Sequence, residues 1–392
     1  ITGSTGANLT VNGTTEYAGY GGIMLDQADL TIKDCDVSIN SPKGSGVRGR
    51  LSIKDANTQG TSTLTVDNAS LAINSAVECI YNLKNMTLTD CYYESPANAT
   101  FDSANGYVKN GSSPITSNLK ISKGYGFVVG GTRVTKDNAS FIKSGITYDA
   151  STNTLKFNNG KVTGDYYGIV AYKDLNLYVS GTSNSIYSTS NHGILAYGNV
   201  NITGPGLDMS YLTINTDGTP SCAGIYMNSS GSKFNVKNTT LSVHAANSVS
   251  YGIVGYKTAA TIQDAEVTAY GTSASTYSLS SLSLIGVEIL SPENAVFTPG
   301  IGVTLNGYEV AAKEVKIGVK EYDLSVGGKK VASANCADVY GDGKVKYDPA
   351  TNTLTLNNAT IGCEGYGIEA KTKQRLYINL VGTNYVNSLR SY

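Results

Sequence analysis

The stretch YDASTNTLKFNN, beginning at Tyr148, returns as YDPATNTLTLNN at Tyr347. Extending the duplicate outward keeps the spacing nearly constant: SPANATF and SPENAVF start 196 residues apart at Ser95 and Ser291, and YGFVVGGTRVT and YDLSVGGKKVA start 197 apart at Tyr125 and Tyr322. The chain therefore holds the later part of one copy, one whole copy and the start of a third. A fold that accommodates this must be one that can be continued, copy after copy.

A shorter motif sits inside the long period. LTIKDCDV at Leu30, LTVDNASL at Leu64, MTLTDCYY at Met86, LKFNNGKV at Leu155, FNVKNTTL at Phe234, ATIQDAEV at Ala260 and LTLNNATI at Leu354 all read apolar-x-apolar-x-Asn/Asp-small-x-apolar. Apolar residues two apart lie on one face of a strand. Asn or Asp at the fifth position tolerates a left-handed bend better than other residues with a side chain. The octet thus predicts a straight run, a corner and another straight run. In the third octet Tyr93 rather than Tyr92 is expected to face inward.

A second strand signal, Gly-Ile, recurs at Gly22, Gly168, Gly193, Gly224, Gly252 and Gly367. Coils of two or three short strands, roughly 20 to 30 residues each, describe a solenoid. The expected fold is all-β, a right-handed parallel β-helix whose corner Asn and Asp stack at about 4.8 Å into hydrogen-bonded ladders. Composition agrees, because 44 Gly, 28 Tyr and only 15% charged residues suit turns and outward strand positions. A string of sandwich domains would instead show hairpin turns every 8 to 12 residues and no fixed corner residue.

Val129-Gly130-Gly131, Val326-Gly327-Gly328, Asn110-Gly111 and Asn306-Gly307 are tight-hairpin signals. They set residues 102–158 and 299–357 apart as antiparallel inserts that cap an open strand edge. Coils are expected over 1–101, 159–298 and 358–392, the last being the first coils of a third copy.

The net charge of −1 gives no basic patch for nucleic acid or an acidic membrane, and no run is apolar enough to span a bilayer. The first residues show no signal peptide, and the chain is expected to be a piece of a longer protein. Six cysteines could form a disulfide framework, but Cys35 and Cys91 sit at the octet's small position and Cys336 matches Ala139 in the other copy, so they read as small free thiols. Sequons such as Asn68-Ala69-Ser70 coincide with corners, so composition accounts for them.

Asn215-Thr216-Asp217-Gly218 and Asn191-His192-Gly193 resemble fragments of the polygalacturonase signature, but in the wrong order and without the paired carboxylates that hydrolysis requires. Asp338, Asp342 and Asp348 are the one candidate calcium cluster, as in pectate lyases; the other copy has no counterpart, which favours a solvated turn. No catalytic residue, cofactor or metal is assigned. What remains is a column: Tyr172, Tyr197 and Tyr256 each occupy the fifth position from a Gly-Ile glycine, where alternation sends them and Val170 outward. Such rings suit sugar stacking, with Lys173, Asn199 and Lys257 hydrogen-bonding hydroxyls; the plainer alternative is a ladder that stabilises the outer sheet.

The pattern LxVGGxxV … YDxxTNTLxxNN followed by Gly-Ile coils resembles β-helix surface proteins of anaerobic gut bacteria and, more distantly, pectin-lyase-like carbohydrate-binding proteins. The resemblance implies secretion or display on the bacterial outer surface and a binding or adhesive role. The expectation is a non-catalytic extracellular repeat protein whose partner is a polysaccharide or cell-surface component. A protein-directed adhesin or spacer, and a polysaccharide lyase or hydrolase, are the alternatives.

Overall fold

In the computed structural model of the chain, the fifth residue of all seven octets has a positive φ: Asp34 55°, Asn68 46°, Asp90 51°, Asn159 53°, Asn238 52°, Asp264 47° and Asn358 50°. The residue after each corner turns in toward the core, so it must be small: Ala69, Ala265, Ala359, Thr239 and Cys35 are buried there. The corners stack as well, for the Asn68 side-chain amide donates to the Asp34 carboxylate on the coil before. Local chemistry at one position thus sets the bend wherever the octet occurs, and the chain is an all-β solenoid of about 14 turns.

The structure describes all residues except 5, 14–19, 51–58, 218–220, 306–310, 372–374 and 392, and no side chains from 390 onward. The turn expected at Asn306-Gly307 and Gly218 of the Asn-Thr-Asp-Gly motif fall outside the described residues. The chain divides into two units, one formed by Ile1–Leu177, Ile186–Val200 and Tyr226–Ser229, the other by Tyr178–Ser185, Asn201–Ile225 and Ser230–Tyr392.

In the first unit three parallel ladders enclose the core. Leu30–Lys33, Thr63–Asp67 and Asn85–Thr89 pair in register, aligning Leu30 with Leu64 and Met86, and Ile32 with Val66 and Leu88. Asn8–Asn12, Asp36–Ser41 and Ser70–Ser75 form the second wall, and Gly21–Asp26, Ser45–Arg50 and Ile80–Tyr81 the third. The inward rows are fully buried at Ile32, Leu64, Val66, Val47 and Ile80; each such side chain contributes about 1.5–3 kcal/mol by leaving water. Like residues stack on like, so one octet written repeatedly lines the interior with apolar rows.

The ladders end on antiparallel pieces. Leu119–Lys123 pairs antiparallel with Ser70–Ser75 and Cys91–Ser95, while Ile115 and Gly106 carbonyls accept the Cys79 and Leu83 amides of the third wall. Edge groups that would otherwise be open are satisfied. Beyond this comes a joint in which the hairpin Phe127–Val129 and Thr132–Arg133, with Gly130 and Gly131 at φ 51° and 76°, lies antiparallel to the next Gly-Ile strand, Ile169–Ala171. That strand then resumes parallel stacking with Ile194–Ala196.

The second unit follows the same plan. Ser210–Thr216, Thr240–Ala245 and Glu266–Gly271 are parallel, Glu314–Gly318 closes them antiparallel, and the Gly327-Gly328 hairpin of Glu321–Val326 and Lys329–Ala332 lies antiparallel to Ile368–Ala370. Two joints of common design therefore exist, one wholly inside each unit.

Candidate functional site

The first joint gathers most of the aromatic side chains that the sequence set apart. Tyr172 and Tyr197, each the residue just after one of two paired strands, stack with ring centroids 5.7 Å apart and planes 4° from parallel. Tyr92 covers the other side of Tyr172 at 5.0 Å. Tyr93, next to it, packs against the core as expected, which is why Tyr92 turns outward onto the joint. Tyr172 consequently presents an edge rather than a face to solvent, and the ladder alternative describes this pair.

Ion pairs hold the Tyr92 side of the stack. Glu94 accepts from Lys120 at 2.7 Å, from Arg133 at 3.0 Å and from the Ser122 hydroxyl, and the Arg133 guanidinium lies 5.9 Å from the Tyr92 ring centre. Burial pushes the Glu94 carboxyl up, but Lys120, Ser122 and Arg133 outweigh it and hold the group below the usual range. Burial holds the Tyr92 hydroxyl well above the usual tyrosine range, and among the described residues that hydroxyl has no hydrogen-bond partner.

The expected polar fringe is placed differently. Lys173 folds over the joint: its ammonium lies 5.2 Å from the Phe127 ring centre and 3.5 Å from the Tyr148 hydroxyl, and burial lowers its pKa. A cation whose stem can cover an aromatic core finds a better position there than in water. Asn199 clasps Asp174, donating its backbone N–H at 2.8 Å and its side-chain amide at 2.9 Å, and so acts as a corner. Val170, expected to face solvent, is 7% exposed, flanked by Val128 on the antiparallel side and Leu195 on the parallel side. Tyr256 and Lys257 belong to the second unit, both exposed, with Lys257 at a left-handed φ of 55°.

A second aromatic row was missed. Tyr167 and His192 each stand immediately before a Gly-Ile pair, and they stack at 5.9 Å. Tyr166 meets Tyr167 edge-on at 4.6 Å, and Tyr226 lies 4.8 Å from His192. Burial, then Tyr166, Tyr197 and Tyr172, push the Tyr167 hydroxyl up to about 12. The aromatic residue before Gly-Ile recurs at Tyr251 and Tyr366, which was the available signal. Tyr166, at one end of this second row, is 57% exposed; at the other end the Tyr226 hydroxyl lies 3.4 Å from Asn228, while Ser229 reaches Asn98 at 3.4 Å and donates to the Tyr197 carbonyl at 2.6 Å.

The other sequence candidates are built into turns. Asp338 accepts the amides of Gly341 and Gly343 at 2.9 and 2.8 Å, Asp342 that of Lys344 and Asp348 that of Ala350. Among the described residues no group of three or more His, Cys, Asp or Glu side chains is arranged to hold a metal, and all six cysteines are free thiols. No helix is long and apolar enough to cross a membrane. No protein family, curated protein or solved structure matches the chain.

Proposed function

We propose that this is a non-catalytic, extracellular or surface-displayed protein that binds polysaccharide on the outer face of its coils. The observation that carries the reading is the pair of aromatic rows at the first joint, one of which runs from the exposed ring of Tyr166 to Tyr226, whose hydroxyl lies 3.4 Å from the Asn228 amide. A sugar ring stacks its apolar CH face on such a ring while amides take its hydroxyls. The rings stack on one another beside paired strands, so little side-chain freedom is lost on binding.

The test is a glycan array and an insoluble-polysaccharide pull-down, with calcium and with EDTA, and with released reducing or unsaturated ends measured in parallel. Saturable retention without product, weakened at least about tenfold by Tyr166→Ala at unchanged melting temperature, is expected. Retention that ignores Tyr166→Ala would remove this face from the reading, product formation would make the protein an enzyme, and no retention at all would leave a protein-directed adhesin or spacer.

A further inference from the structure

The second joint repeats the backbone of the first and changes what faces outward. In the first, Val128 pairs with Val170 across the antiparallel strands and Tyr172 closes the row. In the second, Ser325 pairs with Glu369 in the same register, Leu324 with Ala370 and Val326 with Ile368, and Lys371 stands where Tyr172 stood. Glu288, 196 residues after Tyr92, replaces the ring that covered Tyr172. Replacing the Tyr92 ring by Glu288 and Val128 by Ser325 leaves space, and replacing Val170 by Glu369 makes the wall polar. The second joint carries an open groove of about 720 Å³, inside the roughly 300–1,000 Å³ of small-ligand sites.

The walls are chemically mixed. Glu321, Asp323 and Glu369 supply carboxylates, Lys330 and Lys371 ammonium groups, and Tyr322 and Tyr366 the aromatic surface. Tyr366, 42% exposed, occupies the place of Tyr167. Tyr322 is fixed by its hydroxyl, which donates to Glu288. Glu321 pairs with Lys330 at 2.7 Å and Glu369 with Lys371 at 3.8 Å; the first pair is well solvated and the second long, so both hold little energy and a polyol can replace them with its own hydrogen bonds. Three carboxylates against two ammonium groups leave a net negative wall, which repels uronate chains and admits neutral or amino sugars.

We infer that this groove is a binding site for a short neutral or amino-sugar oligosaccharide, stacked on Tyr366 and hydrogen-bonded through Glu369, Asp323 and Lys371. The inference rests on the glycan-binding reading above but names a different face. The experiment is calorimetric titration of the full chain with cellotetraose, chitotetraose and tetragalacturonate, using three variants. One refills the groove with the first joint's own residues (Ser325→Val, Glu369→Val, Lys371→Tyr), the second is the milder Glu369→Gln, and the third is Tyr166→Ala.

Expected is binding of a neutral or amino tetramer over tetragalacturonate, abolished by refilling, weakened about tenfold or more by Glu369→Gln as for a lost charge-assisted hydrogen bond, and unchanged in Tyr166→Ala. Binding that survives both groove variants but falls in Tyr166→Ala overturns the groove and keeps the aromatic face. Tetragalacturonate binding best overturns the charge argument and with it the inference, and no binding of any tetramer by the parent chain overturns the groove whatever the aromatic face retains.

Discussion

At the scale of single residues the protein is controlled by side chains that accept a left-handed backbone. Asn68 is buried, sits at φ 46° and donates to Asp34. Asn68→Ala keeps the space but places a methyl group where an L-residue is disfavoured by roughly 1–2 kcal/mol, and it deletes a hydrogen bond. Urea unfolding is expected to show that loss or somewhat more, with Asn68→Gly losing only the hydrogen-bond part; equal loss in both would mean the conformation costs nothing. A second residue-scale expectation concerns alkali. Burial pushes Tyr93, Tyr148 and Tyr167 up to about 12, whereas unfolded tyrosine ionises near about 10. The native state then binds more protons than the unfolded one, so stability is full below about pH 10 and falls as pH rises toward 12. A flat urea midpoint from pH 9 to 11.5 would contradict it. Burial likewise pushes the Cys91 thiol up to about 11, so its alkylation at pH 8 should be slow in the native chain and fast in urea.

At the scale of elements, the Gly-Gly hairpins decide where parallel stacking stops and restarts. A Cβ at Gly130 would stand 2.7 Å from the Thr163 carbonyl oxygen, whereas one at Gly131 meets nothing within 4 Å. Both glycines have positive φ, so Gly131→Ala should cost about 1 kcal/mol and Gly130→Ala distinctly more, read as a larger fall in the urea midpoint; the reverse order would mean the hairpin is not seated against Thr163. These hairpins and the octet corners were legible because both depend on which backbone angles a residue tolerates, a property it carries by itself. Lys173, Val170 and the groove were not, because their surroundings come from strands about 40 residues away in an antiparallel pairing that no local period encodes. Tyr167 and His192 lie between these cases: the aromatic residue before each Gly-Ile pair stands in the sequence, but only the stacked coils turn it into a row.

At the scale of the whole molecule, stability is a sum over neighbouring coils, so damage should stay local. Leu64→Ala removes a fully buried side chain aligned between Leu30 and Met86 and is expected to cost about 2–5 kcal/mol. Hydrogen exchange should report that loss in the first unit and leave amides of Thr240–Ala245 in the second unit protected as before. A uniform loss across both units would show instead that the solenoid unfolds in one step.

The paired joints also bear on how the chain finds its fold. Two near-identical segments made on one ribosome compete for the same neighbours, and repeat proteins go astray by such exchanges. Ile368–Ala370 could seek the partner of Ile169–Ala171, but the exchange would carry the Glu369 charge into the place where Val170 is sealed from water, at a cost of several kcal/mol. The divergence of the two outward faces thus weighs against that exchange, because the place sealed around Val170 disfavours the strand that carries Glu369.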